Sequence, residues 1–141
     1  MFVDSSALVA IIKGEPEAEG FTACLGNVKG QIWVSSVVRF EVIASLAISR
    51  ARNAGRDHAS DEDFATATGL LDDLLREIGA KDVHLSAAMG AAALDAAKTY
   101  GKLVGHPSKL NMGDCFSYAA AKTYRVGLLY KGDDFAKTDL A

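Results

Sequence analysis

Cysteine, histidine and proline are scarce in this chain, and so is any surplus of positive charge. The two cysteines, Cys24 and Cys115, lie far apart and form no C-x-x-C spacing. This excludes a disulfide framework and fits a reducing compartment. None of the three histidines, His58, His84 and His106, has a second His or a Cys at metal-ligand spacing, so a zinc site is disfavoured. No apolar run approaches the roughly 20 residues needed to span a bilayer. The opening Phe2-Val3-Asp4 meets a charge before any basic segment of a secretory signal. The chain therefore reads as a soluble, cytoplasmic protein with no membrane association. Fifteen Lys and Arg against 18 Asp and Glu give a formal net charge of −3, which argues against a uniformly basic nucleic-acid-binding surface. It leaves room for a local basic rim, or for acids gathered around metal ions whose charge changes the sign of the site.

Several catalytic signatures are also missing. There is no G-x-G-x-x-G after a strand, no phosphate-binding G-x-x-x-x-G-K-[S/T], and no G-x-S-x-G nucleophile elbow. Asp4 lacks the second aspartate two places on that phospho-aspartate hydrolases use.

What is present is 141 residues, half of them hydrophobic, enough for one well-packed domain over residues 1–141. Met1-Phe2-Val3 reads as a buried strand. Ser5-Ser6 opens a helix that runs to Lys13 and stops at Gly14. Glu15-Pro16-Glu17 begins a second helix, with proline and acids in its first turn, ending near Gly26. Gln31 to Ser35 reads as a strand, and Ser35 or Ser36 caps a long helix to about Asn53. Ser60 and Asp63 form a capping-box-like start for a helix reaching Ile78. A brief strand is expected over Asp82 to Leu85, then an Ala-rich helix from Ser86 to Tyr100. Lys102 to Leu110 reads as a loop, Asn111 caps a helix to Tyr124, and Val126 to Tyr130 forms a late strand before the turn Lys131-Gly132-Asp133-Asp134. Strands alternating with helices define an α/β protein with a mostly parallel sheet.

Four acids stand out by position: Asp4 at the end of the first strand, Glu41 in the helix after the second, Asp114 in the first turn of the helix that Asn111 begins, and Asp133 after the last strand. Ligand sites in open parallel sheets form outside the carboxyl ends of the strands, so a shared site is expected. Clustered carboxylates repel one another unless a cation lies among them. Hard divalent ions such as Mg²⁺ and Mn²⁺ prefer oxygen ligands and support phosphodiester hydrolysis. Each acid also has a structural alternative. Asp4 can cap a helix, Asp114 can complete a capping box with Asn111, and Asp133 can form a turn. Glu41 can lie on a solvated helix face, but its apolar neighbours Val37, Val38, Phe40, Val42 and Ile43 point to partial burial. Arg39 and Arg50 are its possible partners.

The segments around these acids resemble the PIN-domain family, specifically its VapC-type toxins. Met1-Phe2-Val3-Asp4-Ser5-Ser6 resembles the family's start, and Val38-Arg39-Phe40-Glu41 its second acid position. His106-Pro107-Ser108-Lys109-Leu110-Asn111-Met112-Gly113-Asp114 through Ala119 resembles the third, and Leu128 through Phe135 with Thr138-Asp139 the tail of one VapC subgroup. The resemblance runs in order along essentially the whole chain. It implies a three-layer α/β/α fold and a Mg²⁺- or Mn²⁺-dependent endoribonuclease acting on structured RNA such as transfer or ribosomal RNA. Asp4 and Asp114 would ligate metal, with Glu41 and Asp133 completing the acidic pocket. Asp134 is the neighbouring alternative to Asp133. Ser6 would steady a metal-bound water. The resemblance further implies a homodimer and a VapB-type antitoxin whose tail occupies the acidic groove. A basic rim able to meet RNA would draw on Lys13, Arg39, His106 and Lys109, with Arg50, Arg52, Arg56 and Lys102 as further candidates. The alternative reading is a non-catalytic PIN-like domain that binds RNA or protein.

Overall fold

The computed structural model describes residues 1–141. The chain runs β1 (Phe2–Val3), α1 (Ser5–Lys13), α2 (Ala18–Gly26), β2 (Trp33–Val34), α3 (Ser36–Asn53), α4 (Asp61–Glu77), β3 (Lys81–Asp82), α5 (Ala87–Tyr100), a 3-10 turn (Lys102–Val104), α6 (Met112–Tyr124) and β4 (Leu128–Leu129). The strands form one sheet in the order β3-β2-β1-β4, and each neighbouring pair is parallel.

The helices begin where the sequence supplies a cap. Asp4, Ser35, Ser60, Ser86 and Asn111 each accept a hydrogen bond from a backbone N–H in the first turn of the helix that follows. Gly14 closes α1 in the left-handed conformation at φ 63°, a backbone shape glycine adopts without steric penalty. The expected loop before α6 contains the 3-10 turn and is pinned by a parallel bridge between Gly101 and Leu110.

The strands are shorter than their apolar runs. β2 occupies two residues of the expected Gln31–Ser35, and β4 two of Val126–Tyr130, because only the central residues of each run find ladder partners. β3 lies at Lys81–Asp82 instead of Asp82–Leu85. Its N–H groups are set by β2, with Lys81 donating to the Ile32 carbonyl (3.0 Å) and Val83 to that of Val34 (2.8 Å). Only Val83 is buried there. The strand pair itself is charged and exposed, so its apolar pattern gives no signal, while such charges discourage edge-to-edge pairing.

Two successive crossovers carry the chain from β1 to β2 to β3. The third returns past both to the far side of β1. Right-handed crossovers put α1–α4 on one face of the sheet and α5–α6 on the other. The core between them includes Phe2, Val3, Leu8, Val34, Val38, Val42, Leu71, Leu110 and Phe135. The direction of winding reverses between β1 and β4. That crevice, at the carboxyl ends of the strands, is where open parallel sheets bind ligands. α6 leads into β4 and so runs against the strands, which brings its N-terminal turn to the same edge.

Candidate functional site

Asp4 follows β1 directly into the crevice and is 3% exposed. Its Oδ2 accepts hydrogen bonds from the Ser6 backbone N–H (3.0 Å) and the Ser6 hydroxyl (2.6 Å), and its Oδ1 accepts one from the Ser117 hydroxyl (2.7 Å). Ser6 Oγ in turn accepts the Lys131 N–H at 3.0 Å. The segment after β4, helix α1 and helix α6 are thereby tied to one carboxylate. Capping and site-building are the same contact here, since the Ser6 bonds that start α1 also orient Asp4.

Asp114 is likewise both cap and site residue. It reciprocates with Asn111 in a capping box, its Oδ2 accepting the Asn111 N–H at 2.9 Å. Burial pushes its carboxyl up to about 6 against the opposing pull of that N–H, and the negative charges of Asp4 and Asp134 add to the rise.

Glu41 reaches the same place from the second turn of α3. Burial, followed by the charges of Asp4 and Asp114, raises its carboxyl to about 7, with the Ser5 hydroxyl acting in the opposite sense. Its Oε1 is buried without a hydrogen-bond partner. Neither expected arginine neutralises it. Arg39 forms a two-pronged bond to Asp82 (2.7 and 2.8 Å) with a longer contact to Asp72. Arg50 turns to Asp63, the buried capping-box acid of α4 that Arg56 also pairs at 2.7 Å.

The structure therefore brings Asp4, Glu41 and Asp114 within electrostatic reach of one another. From the C-terminal segment, Asp134 is the acid whose charge reaches Asp114. Asp133 and Asp134 are both exposed, and the Asp133 carbonyl accepts the Ala136 N–H in the turn.

The anticipated rim is partly committed elsewhere. His106 Nδ1 accepts the Ser108 N–H (3.0 Å), and its ring packs edge-on to Tyr100, which staples the loop. Lys13 is exposed beside the Ser49 hydroxyl, and Lys109 is exposed on a left-handed residue at φ 52°. A cation that the sequence did not single out shares a cleft with Glu41. Lys131 lines a cleft with Ser5, Ser6, Glu41 and Ser45, and its ammonium is paired with Glu15 and Glu17. Ser117 was also missed, although its spacing of three from Asp114 puts both on one face of α6. Gly113, against which the Glu41 side chain lies, carried no signal at all.

No three His, Cys, Asp or Glu side chains are grouped closely enough to enclose a metal ion by themselves. The donor set nevertheless suits a hard divalent cation, which commonly takes one or two carboxylates and fills its remaining positions with water. Two carboxyls raised by burial and by neighbouring negative charge, and an unpartnered Glu41 oxygen, are the features a cation would relieve.

Residues 1–140 match the PIN domain family. A VapC ribonuclease of Rhizobium meliloti is 43% identical over 140 residues, covering 99% of this chain and 98% of the relative. Ribonuclease VapC30 of Mycobacterium tuberculosis is 35% identical over 141 residues, covering all of this chain and 96% of the relative. Among solved structures, Mycobacterium tuberculosis VapC20, a sarcin-ricin loop cleaving toxin, superposes with a TM-score of 0.66 at 17% identity over 99% of this chain and 97% of the other. A chain of a toxin-antitoxin complex from Klebsiella pneumoniae does so with a TM-score of 0.60 at 17% identity, over 98% and 92%. With its sheet order, its acids at the β1–β4 crevice and these full-length matches, the chain belongs to the PIN-domain family.

Proposed function

We propose that this protein is a divalent-metal-dependent endoribonuclease, the toxin of a VapBC-type pair, acting on structured RNA. The observation that carries the reading is the convergence of Asp4, Glu41 and Asp114 on the strand-end crevice, two of them with raised carboxyls. The full-length similarity to VapC ribonucleases supports it.

Asp4 and Asp114 would hold Mg²⁺ or Mn²⁺ through the oxygen lone pairs their hydrogen bonds leave open, with Glu41 completing the pocket. Asp134 takes the fourth acidic position in preference to Asp133. When bound, the cation supplies positive charge that offsets charge building on the phosphodiester. The remaining work falls to the chain. Ser6 and Ser117 fix the Asp4 carboxylate so that it need not reorganise during the reaction. The Glu41 carboxylate, which lines the cleft with one oxygen buried and unpartnered, can accept a proton from a water attacking the phosphorus. Lys131 borders a second cleft that Glu41 also lines, with Ser5, Ser6 and Ser45, and can meet a phosphate oxygen there. An antitoxin would silence the enzyme by laying a basic side chain among the acids. A paired assembly of two copies is expected.

The test is cleavage of total transfer and ribosomal RNA with Mg²⁺, Mn²⁺ or EDTA, with Asp4→Asn and Asp114→Asn alongside. Discrete cuts that require the cation and vanish in both variants are expected. RNA binding without cutting, indifferent to both substitutions, would instead establish the non-catalytic alternative.

A further inference from the structure

The geometry points to Gly113 as the positioning residue for Glu41: the side chain it lacks is the space in which the Glu41 carboxylate stands. Gly113 is buried in the first turn of α6, next to Asp114. Its backbone is not among the glycines at positive φ, so conformational freedom does not explain the choice. Alanine is also the better helix former at such a position. Space does explain it. A Cβ built at residue 113 would fall 2.5 Å from both Cδ and Oε1 of Glu41, and nearer still to Oε2. Such approaches do not occur between real atoms. By contrast, Gly20, Gly69 and Gly90, also within helices, have nothing within 4 Å of the same position.

What would yield is the far end of a flexible side chain, not backbone. The cleft beside Glu41, lined by Ser36, Val37, Phe40, Asn111, Met112 and Gly113, leaves room for it to swing outward. Any residue larger than glycine at 113 therefore leaves the fold intact and drives Glu41 out of register with Asp4 and Asp114. Contact with α6 at this point also sets Glu41 against the positive end of the helix, where a carboxylate is favoured. Gly113 thus couples α3 to α6 across the crevice without touching substrate.

The proposal rests on the nuclease reading for its functional consequence, so its test has one arm that needs neither cation nor RNA. The Glu41 carboxyl ¹³C resonance of glutamate-labelled protein, at fixed pH and in EDTA, should move in Gly113→Ala to join those of solvent-exposed glutamates. It should stay in place in Gly69→Ala. With Mn²⁺ present, Gly113→Ala should bind the ion at least tenfold more weakly by calorimetry and lose kcat at least tenfold with little change in KM. Its melting temperature should remain within a few degrees of wild type. Glu41→Asp, one methylene shorter, should restore part of both losses in the Gly113→Ala background. An unmoved resonance, or a Gly113→Ala chain that fails to fold, overturns the proposal, since either shows that the carboxylate is not what gives way. A moved resonance in a protein that never binds Mn²⁺ sinks the metal reading and leaves the positioning role standing.

Discussion

Without a cation at pH 8, the Glu41 carboxylate is a buried charge facing two others of the same sign. Its folded-state pKa of about 7, and that of about 6 for Asp114, lie above the ordinary values of 4.5 and 3.8. For acids shifted upward, the stabilising contribution is complete below the ordinary value and is lost as pH rises through the folded one. The cation-free protein should therefore melt at a higher temperature at pH 5 than at pH 8. Glu41→Gln should flatten that dependence and stabilise the protein at pH 8 by about 1–2 kcal/mol, a figure reduced for the solvent at its open side. Calorimetric melts at both pH values in EDTA check this, and a steeper fall in the variant would contradict it. The same substitution should lower cleavage at least 100-fold, so that stability and activity move in opposite directions. Ser117→Ala leaves a buried Asp4 oxygen without its hydroxyl donor. That should cost about 1–3 kcal/mol in urea unfolding and weaken cleavage.

Among the elements, the first turn of α6 holds the most of the site. Asn111→Ala removes the side-chain acceptor of the Asp114 N–H and leaves only the bond from the residue 111 N–H to the Asp114 carboxylate. It should cost about 1 kcal/mol and reduce Mn²⁺ affinity, which unfolding curves and calorimetry would read separately. Asn111 and Asp114 were both legible in the sequence, because a capping box has a fixed spacing and its own residue types. Arg39 was not. Its place two residues before Glu41 suggested a partner or an RNA contact, but helical positions two apart point about 200° apart, and its guanidinium joins α3 to the edge strand β3 through Asp82. Arg39→Gln should accordingly change stability by less than about 1 kcal/mol, as expected of a partly exposed pair, and leave cleavage near wild type. A large loss of RNA affinity would restore its role in the rim. β3 shares only Asp82 with the strand expected from the sequence, because a charged edge strand carries no hydrophobic alternation.

For the whole molecule, the order of strands and helices was readable from apolar runs and caps, and with it the expectation that the acids share one edge. Which acid of the turn after β4 sends its charge toward Asp114 was not, since that depends on how the turn leaves the sheet. Nor was the commitment of Arg39, Arg50 and Arg56 to acids, which requires knowing which helices pack together. In a chain of net charge −3, that commitment leaves Lys13, Arg52, Lys102 and Lys109 as the rim candidates without an acidic partner. The dependence of log kcat/KM on log salt should then be shallow, with a slope of about −2, as contacts from three of these to single-stranded phosphate would give. A slope twice as steep would show that Lys131 and the paired arginines are released to the RNA.

The bond from the Lys131 N–H to Ser6 Oγ joins residues 125 positions apart. Asp4 and Ser6 are made together and early, yet Ser117, which bonds Asp4, and Lys131, which bonds Ser6, reach them only after α6 and β4 have been made. The pocket is a product of chain completion, and a ribosome still extending this polypeptide holds a chain whose acids have not yet met.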